Sequence, residues 1–523
     1  MTIIVEDRQP TPAERFALRV VQLGAIAVVV ASAALHAFEL DRFFVPKELA
    51  LHLTALLAGL FALRVRLTRV DLLLGAYLAL SIVSAVFATN PWLALRAVAI
   101  TASGIVLFWV GRTLRDAGLS RPLLGALAFA VVLAAITSLL QTYGIETTLF
   151  SESRAPGGTL GNRNFVAHAA AFGVPLLFLA ALQARSGGAW LLASSGVAIT
   201  VGTLVLTRSR AAWLAFGAVV AVFAIATIAS APLRRDGRSW RRLLGIVVFA
   251  AAGVAAAILI PNTLRWRSQN PYLESLERVA DYHEGSGAGR LVQYDRSLRM
   301  AVRHPIVGVG PGNWPVEYPE HARRNDPSIS DDDGGMTFNP WPSSDWIAWM
   351  SERGFAAVAL IALVFLGIAL SGIRQLFAAR DAGESAVAAA LLGTVAGAVV
   401  TGLFDAVLLL ALPAFLVWTA LGALWTPPPS ERAPKRLVPL LVVLLSAIGA
   451  ARSAAQLTAM TIYVQRGDRV SLAQAARIDP GNYRLRLRLA RISGRKQRCA
   501  HALAARSLFP HADAARAVSR GCE

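Results

Sequence analysis

Long, almost uncharged runs of apolar residues constrain this chain more than any other feature. Each run has about 20 residues, enough to cross the hydrocarbon core of a bilayer as a helix. The composition, 55% hydrophobic and 16% charged, exceeds what the core of a soluble protein this size could bury. The sequence predicts an all-α, polytopic helical membrane protein with about 13 transmembrane helices, at 16–38, 48–63, 71–88, 94–111, 122–141, 164–182, 189–206, 211–230, 243–260, 355–373, 385–404, 406–425 and 437–455.

The net charge of +19 has two explanations. In a soluble protein it would suggest nucleic acid, but membrane proteins gather Lys and Arg on the cytoplasmic side. With the N-terminus inside and alternating spans, nineteen Lys and Arg fall in the inside segments and six in the short outside loops. This asymmetry supports the span count, and no nucleic-acid partner is expected.

Two larger segments fall outside under this topology, the loop 261–354 and the tail 456–523. We therefore divide the chain into a transmembrane domain, 1–455, which includes the loop, and a separate tail. The first apolar run is full length and follows a polar N-terminus, so no cleavable signal peptide is expected. The two cysteines, Cys499 and Cys522, both lie in the tail. In an oxidising compartment they can form a disulfide, with two free thiols as the alternative.

The loop and the tail each carry helical patterns. Residues 287–303 of the loop alternate Leu, Met and Val with Arg, which predicts an amphipathic helix rather than a merely flexible connector. The tail repeats a similar ending 30 residues apart, at 477–480 and 507–510. That spacing resembles a degenerate tetratricopeptide-type helix pair, and a plain helical hairpin is the alternative. We expect the tail to pack on the outer face.

Arginines cluster at the outer ends of the spans. Arg208 and Arg210 lie between two apolar helices, Arg163 precedes the sixth span, and Arg290 begins the amphipathic stretch. One such arginine can simply reach lipid phosphate. Several on one side of the membrane, beside glycine-rich turns, indicate an anionic site, because guanidinium donates paired hydrogen bonds to phosphate.

The segment HPIVGVGPGNW, 304–314, superficially suggests a nucleotide loop. A dinucleotide fingerprint needs a preceding strand, a following helix and an acidic residue further on, and it belongs in the cytoplasm. This segment follows a basic helix and lies outside. We therefore predict a tight structural turn at Gly308, Gly310, Gly312 and Asn313, which folds the loop back over a membrane cavity.

These segments together carry a family resemblance. GTLGNRNFVAHAA, LTRSRAAWLAF, the Arg290-containing helix, HPIVGVGPGNW and SSDWIAWMSERGFAAVALI are similar to successive signature segments of the bacterial O-antigen ligase/polymerase superfamily. They occur in the family's order, with the long loop in the expected place. The resemblance covers about 155–370 strongly and the rest of the membrane domain loosely.

The resemblance implies a GT-C-like membrane glycosyltransferase of the bacterial inner membrane, with a periplasmic active site and a periplasmic tail. The implied donor is a glycan on undecaprenyl diphosphate, the reaction inverts the anomeric centre, and no metal or other cofactor is expected. By motif match, Arg210 and Arg290 would hold the diphosphate, with Arg163 and Arg208 as further candidates. Expected partners are a glycan or lipid-linked glycan acceptor, membrane lipids and a chain-length regulator.

The residue that activates the acceptor departs from the family pattern. Alignment on Glu352-Arg353-Gly354 puts Ser343 where many ligases have a histidine. Serine is no base at neutral pH, so Asp345, the favoured candidate, or Glu352 would take the proton, unless the acceptor needs little help. The alternative for Asp345 is a helix N-cap.

Other polar residues have structural explanations at this stage. His168 and His304 are expected to be packed and hydrogen-bonded, and Asp405 has no assigned role. The acidic run 331–333 is expected to be a solvated loop rather than a cation site, and no metal-ligand spacing is present.

Three outcomes fit the superfamily: repeat-unit polymerisation, ligation to lipid A core, and transfer to protein Ser or Thr. The missing ligase-type histidine and the added tail favour an O-antigen or exopolysaccharide polymerase. A transporter or flippase is less favoured, because no internal repeat is evident. A non-catalytic scaffold that docks through the tail is the remaining alternative.

Overall fold

The structure is a computed structural model that describes residues 9–522, except 64–66, 267, 278–284, 331–333 and 428–436. The first part is a series of long apolar helices with two 3₁₀ turns, His36–Phe38 and Gly158–Leu160. The helices are α1 Pro12–Val30, α2 Asp41–Ala62, α3 Arg69–Val86, α4 Pro91–Asp116, α5 Ser120–Thr142, α6 Arg163–Leu182, α7 Gly187–Thr207, α8 Arg210–Ala229, α9 Ala231–Arg235 and α10 Gly237–Leu259.

The long loop is ordered into short elements where the structure describes it. It contains α11 Pro271–Glu277, α12 Gly285–Arg303, α13 Trp314–His321 and α14 Asp345–Arg353, with a two-residue antiparallel pair, β1 Ile329–Ser330 and β2 Met336–Thr337. The predicted amphipathic stretch 287–303 lies within α12. Predictions for 331–333 lie outside the described residues.

The chain then returns to the membrane domain and ends in the tail. The later membrane helices are α15 Phe355–Ala378, α16 Ala382–Phe404, α17 Ala411–Leu424 and α18 Leu437–Gln465. The tail helices are α19 Arg469–Ile478, α20 Tyr483–Ile492, α21 Arg495–Leu508 and α22 Asp513–Ser519.

The polytopic all-helical fold is confirmed, but the span count needs correction. Among the described residues, 11 helices are long and apolar enough to cross a membrane, against the predicted 13. The other two predicted spans are also helices. However, α1 carries Glu14, Arg15 and Arg19, and α17 has only 14 residues because a non-helical segment, 405–410, replaces its predicted start.

Close helix packing holds the membrane domain together. The axes of α4 and α17 approach so closely that a Cβ atom at Gly422 would lie 2.0 Å from the Phe108 carbonyl oxygen. A Cβ at Gly111 would lie 2.6 Å from the carbonyl oxygen of Thr419. Small residues allow such contacts between membrane helices, where dispersion rather than the hydrophobic effect drives association. Helix α17 is buried along its whole length.

The tail is a run of four short helices in which each packs on the next, α19 on α20, α20 on α21 and α21 on α22. The two similar sequence endings correspond to the ends of α19 and α21, so the repeat covers four helices rather than one pair. Val316, Tyr483 and Phe509 share a hydrophobic cluster with partly buried Trp92, which joins the tail to α13 and the start of α4. A disulfide links Cys499 to Cys522, which decides between the two alternatives.

Candidate functional site

A large polar cavity, the arginine cavity, opens at the helix ends near the loop. It has a volume of about 2230 Å³, beyond the 300–1,000 Å³ usual for small-ligand sites. All four arginines singled out in the sequence line it. They are Arg163, Arg208, Arg210 and Arg290. Arg42 and Arg265 line the cavity as well, so its described lining holds six arginines and four glutamates. The lining therefore carries a cationic excess.

Two helix N-termini also face this cavity. Arg163 begins α6 after the Asn162 cap, and Arg210 begins α8 directly after Ser209. Asn164, Ser209 and the two arginines all line the cavity. The first turn of each helix presents the positive end of the helix dipole. No side chain caps α8, whereas the Arg163 and Asn164 amides of α6 already donate to Arg154 and Asn162. Side chains and backbone therefore favour an anion in the same place.

Trp266 connects two of the arginines. The Cζ atoms of Arg163 and Arg208 lie 5.1 Å and 5.0 Å from the centroid of its ring, within cation–π range. Arg208 also donates to the Ser275 hydroxyl, over 2.7 Å. The buried indole N–H of Trp266 has no hydrogen-bond partner among the described residues. Trp266 therefore orients two cations, a role that sequence reasoning missed.

Arg42, at the start of α2, builds a wall of the cavity. Its side chain is 2% exposed and donates to the carbonyl oxygens of Thr148 at 2.6 Å and Phe150 at 3.1 Å. Its Nε donates to Glu39 at 2.9 Å. Arg42 thus holds the segment after α5 against α2, a contact between distant parts of the chain that no local pattern reveals.

Helix α12 positions the loop beside this cavity. Gln293 Oε1 accepts from the Ser343 amide at 2.6 Å, and the Tyr294 hydroxyl donates to the carbonyl oxygens of Ser343 and Leu403. Arg290 precedes these residues by about one turn on the same helix. The predicted donor-site arginine and the departure at Ser343 therefore lie on directly connected segments.

The glycine segment is a tight turn, as predicted, with φ values of +65° at Gly308, +100° at Gly310 and +70° at Gly312. Its amides bond the end of α14: Val309 N donates to Ser351 O at 3.0 Å, and Gly310 N donates to Glu352 O at 2.9 Å. A Cβ at Gly308 would lie 2.2 Å from the carbonyl carbon of Glu352. The turn therefore clasps the Glu352-Arg353-Gly354 motif rather than covering the arginine cavity.

Asn313 anchors the turn to the membrane helices. Its fully buried side chain accepts from the Asn90 amide at 2.7 Å and donates to the Asn90 carbonyl oxygen at 3.1 Å. Asn90 caps α4, so this exchange fixes the loop to the outer end of a membrane helix. The structural role predicted for Asn313 follows from these two bonds.

A second cavity, of about 360 Å³, lies beside the first and shares His36 and Glu39 with it. Glu352 lines this cavity and is 1% exposed. Burial raises the pKa of the Glu352 carboxyl, opposed by Arg353 and by the amides of Gly312 and Trp314. Its Oε1 has no hydrogen-bond partner among the described residues. A carboxylate with a free oxygen at a cavity can accept a proton.

Comparison with known proteins now adds the family. A family model described as O-antigen ligase matches residues 195–362, which contain Arg208, Arg210, Arg290, the glycine turn and Glu352. The chain carries an O-antigen ligase domain. Proteins of this family are membrane glycosyltransferases of the ligase/polymerase type, so the chain is a multi-pass membrane enzyme. No curated protein matches the chain.

Asp345 of the O-antigen ligase domain does not lie at either cavity. It is fully buried, and Oδ1 accepts from the amides of Val407 and Leu408, each at 3.0 Å. The N-cap of α14 is Ser344, which accepts from Ile347, so the cap interpretation of Asp345 is wrong by one residue. Burial raises the pKa of Asp345 to about 8. Its contacts are those of a tether for the segment between α16 and α17.

The two histidines differ in their surroundings. His168 lies on α6, before the matched O-antigen ligase segment, and is buried. Its Nε2 atom is 3.7 Å from Asp405 Oδ2. Neither ring nitrogen has a hydrogen-bond partner among the described residues. His304, inside the segment, is exposed, so the prediction of a packed histidine there is wrong. Neither residue lines a described cavity.

Proposed function

We propose that this enzyme polymerises lipid-linked glycan repeat units, using undecaprenyl diphosphate as the leaving group. The arginine cavity carries the proposal, because six arginines and two helix N-termini around one space favour a doubly charged diphosphate. The volume leaves room for sugar units beside the diphosphate. The proposed site lies at the periplasmic face of the bacterial inner membrane.

The reaction is a displacement at the anomeric carbon. An acceptor hydroxyl oxygen attacks that carbon from the face opposite the diphosphate, and the new C–O bond forms as the old one breaks. The electron pair leaves with the diphosphate oxygen, where negative charge grows. Fixed guanidinium groups aimed at this oxygen stabilise the transition state more than the ground state.

Glu352 is the proposed acceptor of the hydroxyl proton. It lines the second cavity, beside the arginine cavity, and one of its oxygens is free of hydrogen bonds within the described structure. Asp345 is less suited, because it lines neither cavity and both of its oxygens accept from backbone amides. Proton transfer to Glu352 takes the place of the histidine that the family pattern puts at Ser343.

Removal of one diphosphate-binding arginine should slow transfer strongly. Purified enzyme and lipid-linked repeat units alone should give a ladder of longer products. Arg210→Ala and Arg290→Ala should each lower the rate by about 10²–10³, the loss typical of one charge-stabilising donor. Gel separation of labelled products measures the ladder.

Arg299→Ala is the matched control, because Arg299 lies on the same helix as Arg290 but is 58% exposed and paired with Asp295. This variant should keep the ladder. Undiminished product from Arg210→Ala or Arg290→Ala would refute the donor site. Product formed only after a separate acceptor is added would refute polymerisation and favour ligation or protein glycosylation.

A further inference from the structure

The second cavity is built from three separate parts of the chain. Membrane helices α2 and α4 contribute Glu48 and Arg96, the loop contributes Gly312 and the segment 336–341, and the tail contributes Asp479 to Arg484 with Phe509. Its volume of about 360 Å³ falls within the 300–1,000 Å³ range of small-ligand sites. The tail is thus a wall of a ligand-sized space.

The lining is chemically unlike that of the arginine cavity. Arg96 pairs with Glu48 at 2.6 Å and with Asp41 at 3.4 Å, and the described lining as a whole carries three arginines against five acids, so it lacks the cationic excess of the arginine cavity. Trp341, Phe338 and Tyr483 add aromatic surface. Carboxylate and guanidinium groups can bond hydroxyl groups, while aromatic faces cover apolar C–H surface. This combination suits an uncharged, hydroxyl-rich ligand better than a diphosphate.

The position of the cavity indicates what such a ligand does. His36 and Glu39 line both cavities, so the two spaces meet at the 3₁₀ turn after α1. Glu352, the proposed proton acceptor, lines the second cavity. A hydroxyl group held there shares a cavity with the proposed base, and that cavity shares a wall with the donor site.

We infer that the second cavity binds the acceptor saccharide and that the C-terminal tail forms part of its binding surface. This inference rests on the proposed glycosyl transfer and goes beyond it, because it assigns the tail a direct role in acceptor choice. A tail with different residues at 479–484 would then select a different sugar.

Arg484 is the tail residue that best reports this role. Its side chain is exposed, lines the cavity and donates to the Ala37 carbonyl oxygen at 2.9 Å. Ala37 lies in the 3₁₀ turn beside His36, where the two cavities meet. Phe338 is a second probe, because it approaches the cavity from the loop and is 54% exposed. Replacement of either exposed side chain leaves the buried core intact.

Free repeat-unit oligosaccharide, released from its lipid diphosphate, tests the inference with the full-length detergent-solubilised protein. Without phosphate this probe should bind at the acceptor site, and saturation-transfer NMR titration gives its Kd. Arg484→Ala and Phe338→Ala should each weaken binding about tenfold. Arg491→Ala, an exposed arginine of α20 that does not line the cavity, is the matched control and should bind normally.

Each outcome decides for or against the tail-lined site. Absence of saturable binding, or unchanged Kd in both Arg484→Ala and Phe338→Ala, overturns the inference. Arg210→Ala should bind the free saccharide normally while losing transfer. If Arg210→Ala weakens saccharide binding as much as Arg484→Ala does, the saccharide occupies the arginine cavity instead. Persistent transfer in Arg210→Ala would instead refute the proposed function, whatever the saccharide Kd.

Discussion

Two buried acids at opposite ends of α14 show how surroundings separate residues of similar chemistry. Burial raises the pKa of both Asp345 and Glu352. The Asp345 carboxylate is occupied by backbone amides of the segment before α17. Glu352 lies at a cavity with one oxygen unpartnered among the described residues. The same helix therefore carries one structural acid and one acid that can exchange a proton.

Replacement of Glu352 by Gln should lower the transfer rate by about 10²–10⁴, the usual contribution of a general base. A base works only when it is deprotonated. Because burial raises the pKa of Glu352, the wild-type rate should fall on acidification at a higher pH than for an ordinary glutamate. Glu352→Gln should lack this acidic fall. Rate–pH profiles of the purified proteins measure both effects.

Asp345→Asn is the comparison for that experiment. Asparagine has the size of aspartate and keeps one acceptor oxygen. The substitution therefore removes the Asp345 carboxylate without changing the lining of either cavity. This variant should retain the acidic limb of the wild-type profile, even if it is less stable. If the fall in rate at acidic pH disappeared in Asp345→Asn but remained in Glu352→Gln, Asp345 rather than Glu352 would be the general base.

At the residue scale, position along a span points to the arginines at the helix ends, and their role in binding diphosphate stays a prediction. Arg163, Arg208, Arg210 and Arg290 were selected as costly charges at the outer ends of helices, and the structure gathers them around one cavity. The partners of Asp345 lie about 60 residues away, across α15 and α16. No spacing rule links such positions, so its tether role needed the fold.

The glycine turn is the element that joins the loop to the membrane domain. It contacts the end of α14 through backbone hydrogen bonds and the outer end of α4 through Asn313. Gly354 completes the contact, because a Cβ there would lie 2.3 Å from the Ile306 carbonyl oxygen. Glycines on both segments are required by the approach of one backbone to the other.

Gly308→Ala should destabilise the protein by at least about 2 kcal/mol. The left-handed backbone at φ +65° alone costs an L-residue about 1–2 kcal/mol, and the new methyl group would overlap the Glu352 backbone. Because Glu352 would move, transfer should fall as well. Thermal unfolding in detergent, measured by tryptophan fluorescence, reports the loss.

Gly75→Ala is the control for this substitution. Gly75 lies within α3 with no other atom within 4 Å of the new Cβ, and alanine suits a helix better than glycine. Its unfolding temperature should stay the same or rise. Equal unfolding temperatures for Gly308→Ala and the unchanged protein would show that the turn tolerates a side chain.

Element prediction was good for amphipathic patterns and poor for short buried helices. The alternation of apolar residues and arginine located α12 almost to its ends. Helix α17 was predicted as a full span because 406–425 is uniformly apolar. Apolar composition indicates burial, but it does not distinguish helix from the non-helical segment 405–410, in which a distant acid accepts from the Val407 and Leu408 amides.

At the scale of the whole molecule, helix ends gather at two opposite faces. At one face Arg242 donates to Leu182 and Ala184, and Ser230 bonds Ser385. At the other, the loop and tail contact the ends of α3 and α4. The basic segment around α9 lies at the first face. Basic segments of membrane proteins favour the cytoplasmic side, so we expect the face that contains α9 to be cytoplasmic. The tail, at the other face, would then lie outside.

Reporter insertions test this orientation. Alkaline phosphatase, which folds only after export, should be inactive after Asp236 and active after Gly494. A fluorescent protein that matures only in the cytoplasm should give the opposite pattern. The reversed result, or the same activity at both positions, would contradict the topology and place the cavities on the wrong side for a lipid-linked donor.

The short helix α17 has a consequence for where the two substrates meet. A helix of 14 residues spans only roughly 21 Å, less than a hydrocarbon core of about 30 Å. Leu409 and Leu410, just before it, line the second cavity. The floor of that cavity would therefore lie below the level of the lipid headgroups. A hydrophilic acceptor would descend into the leaflet to reach the sugar, and the polyprenyl chain would remain at its ordinary depth.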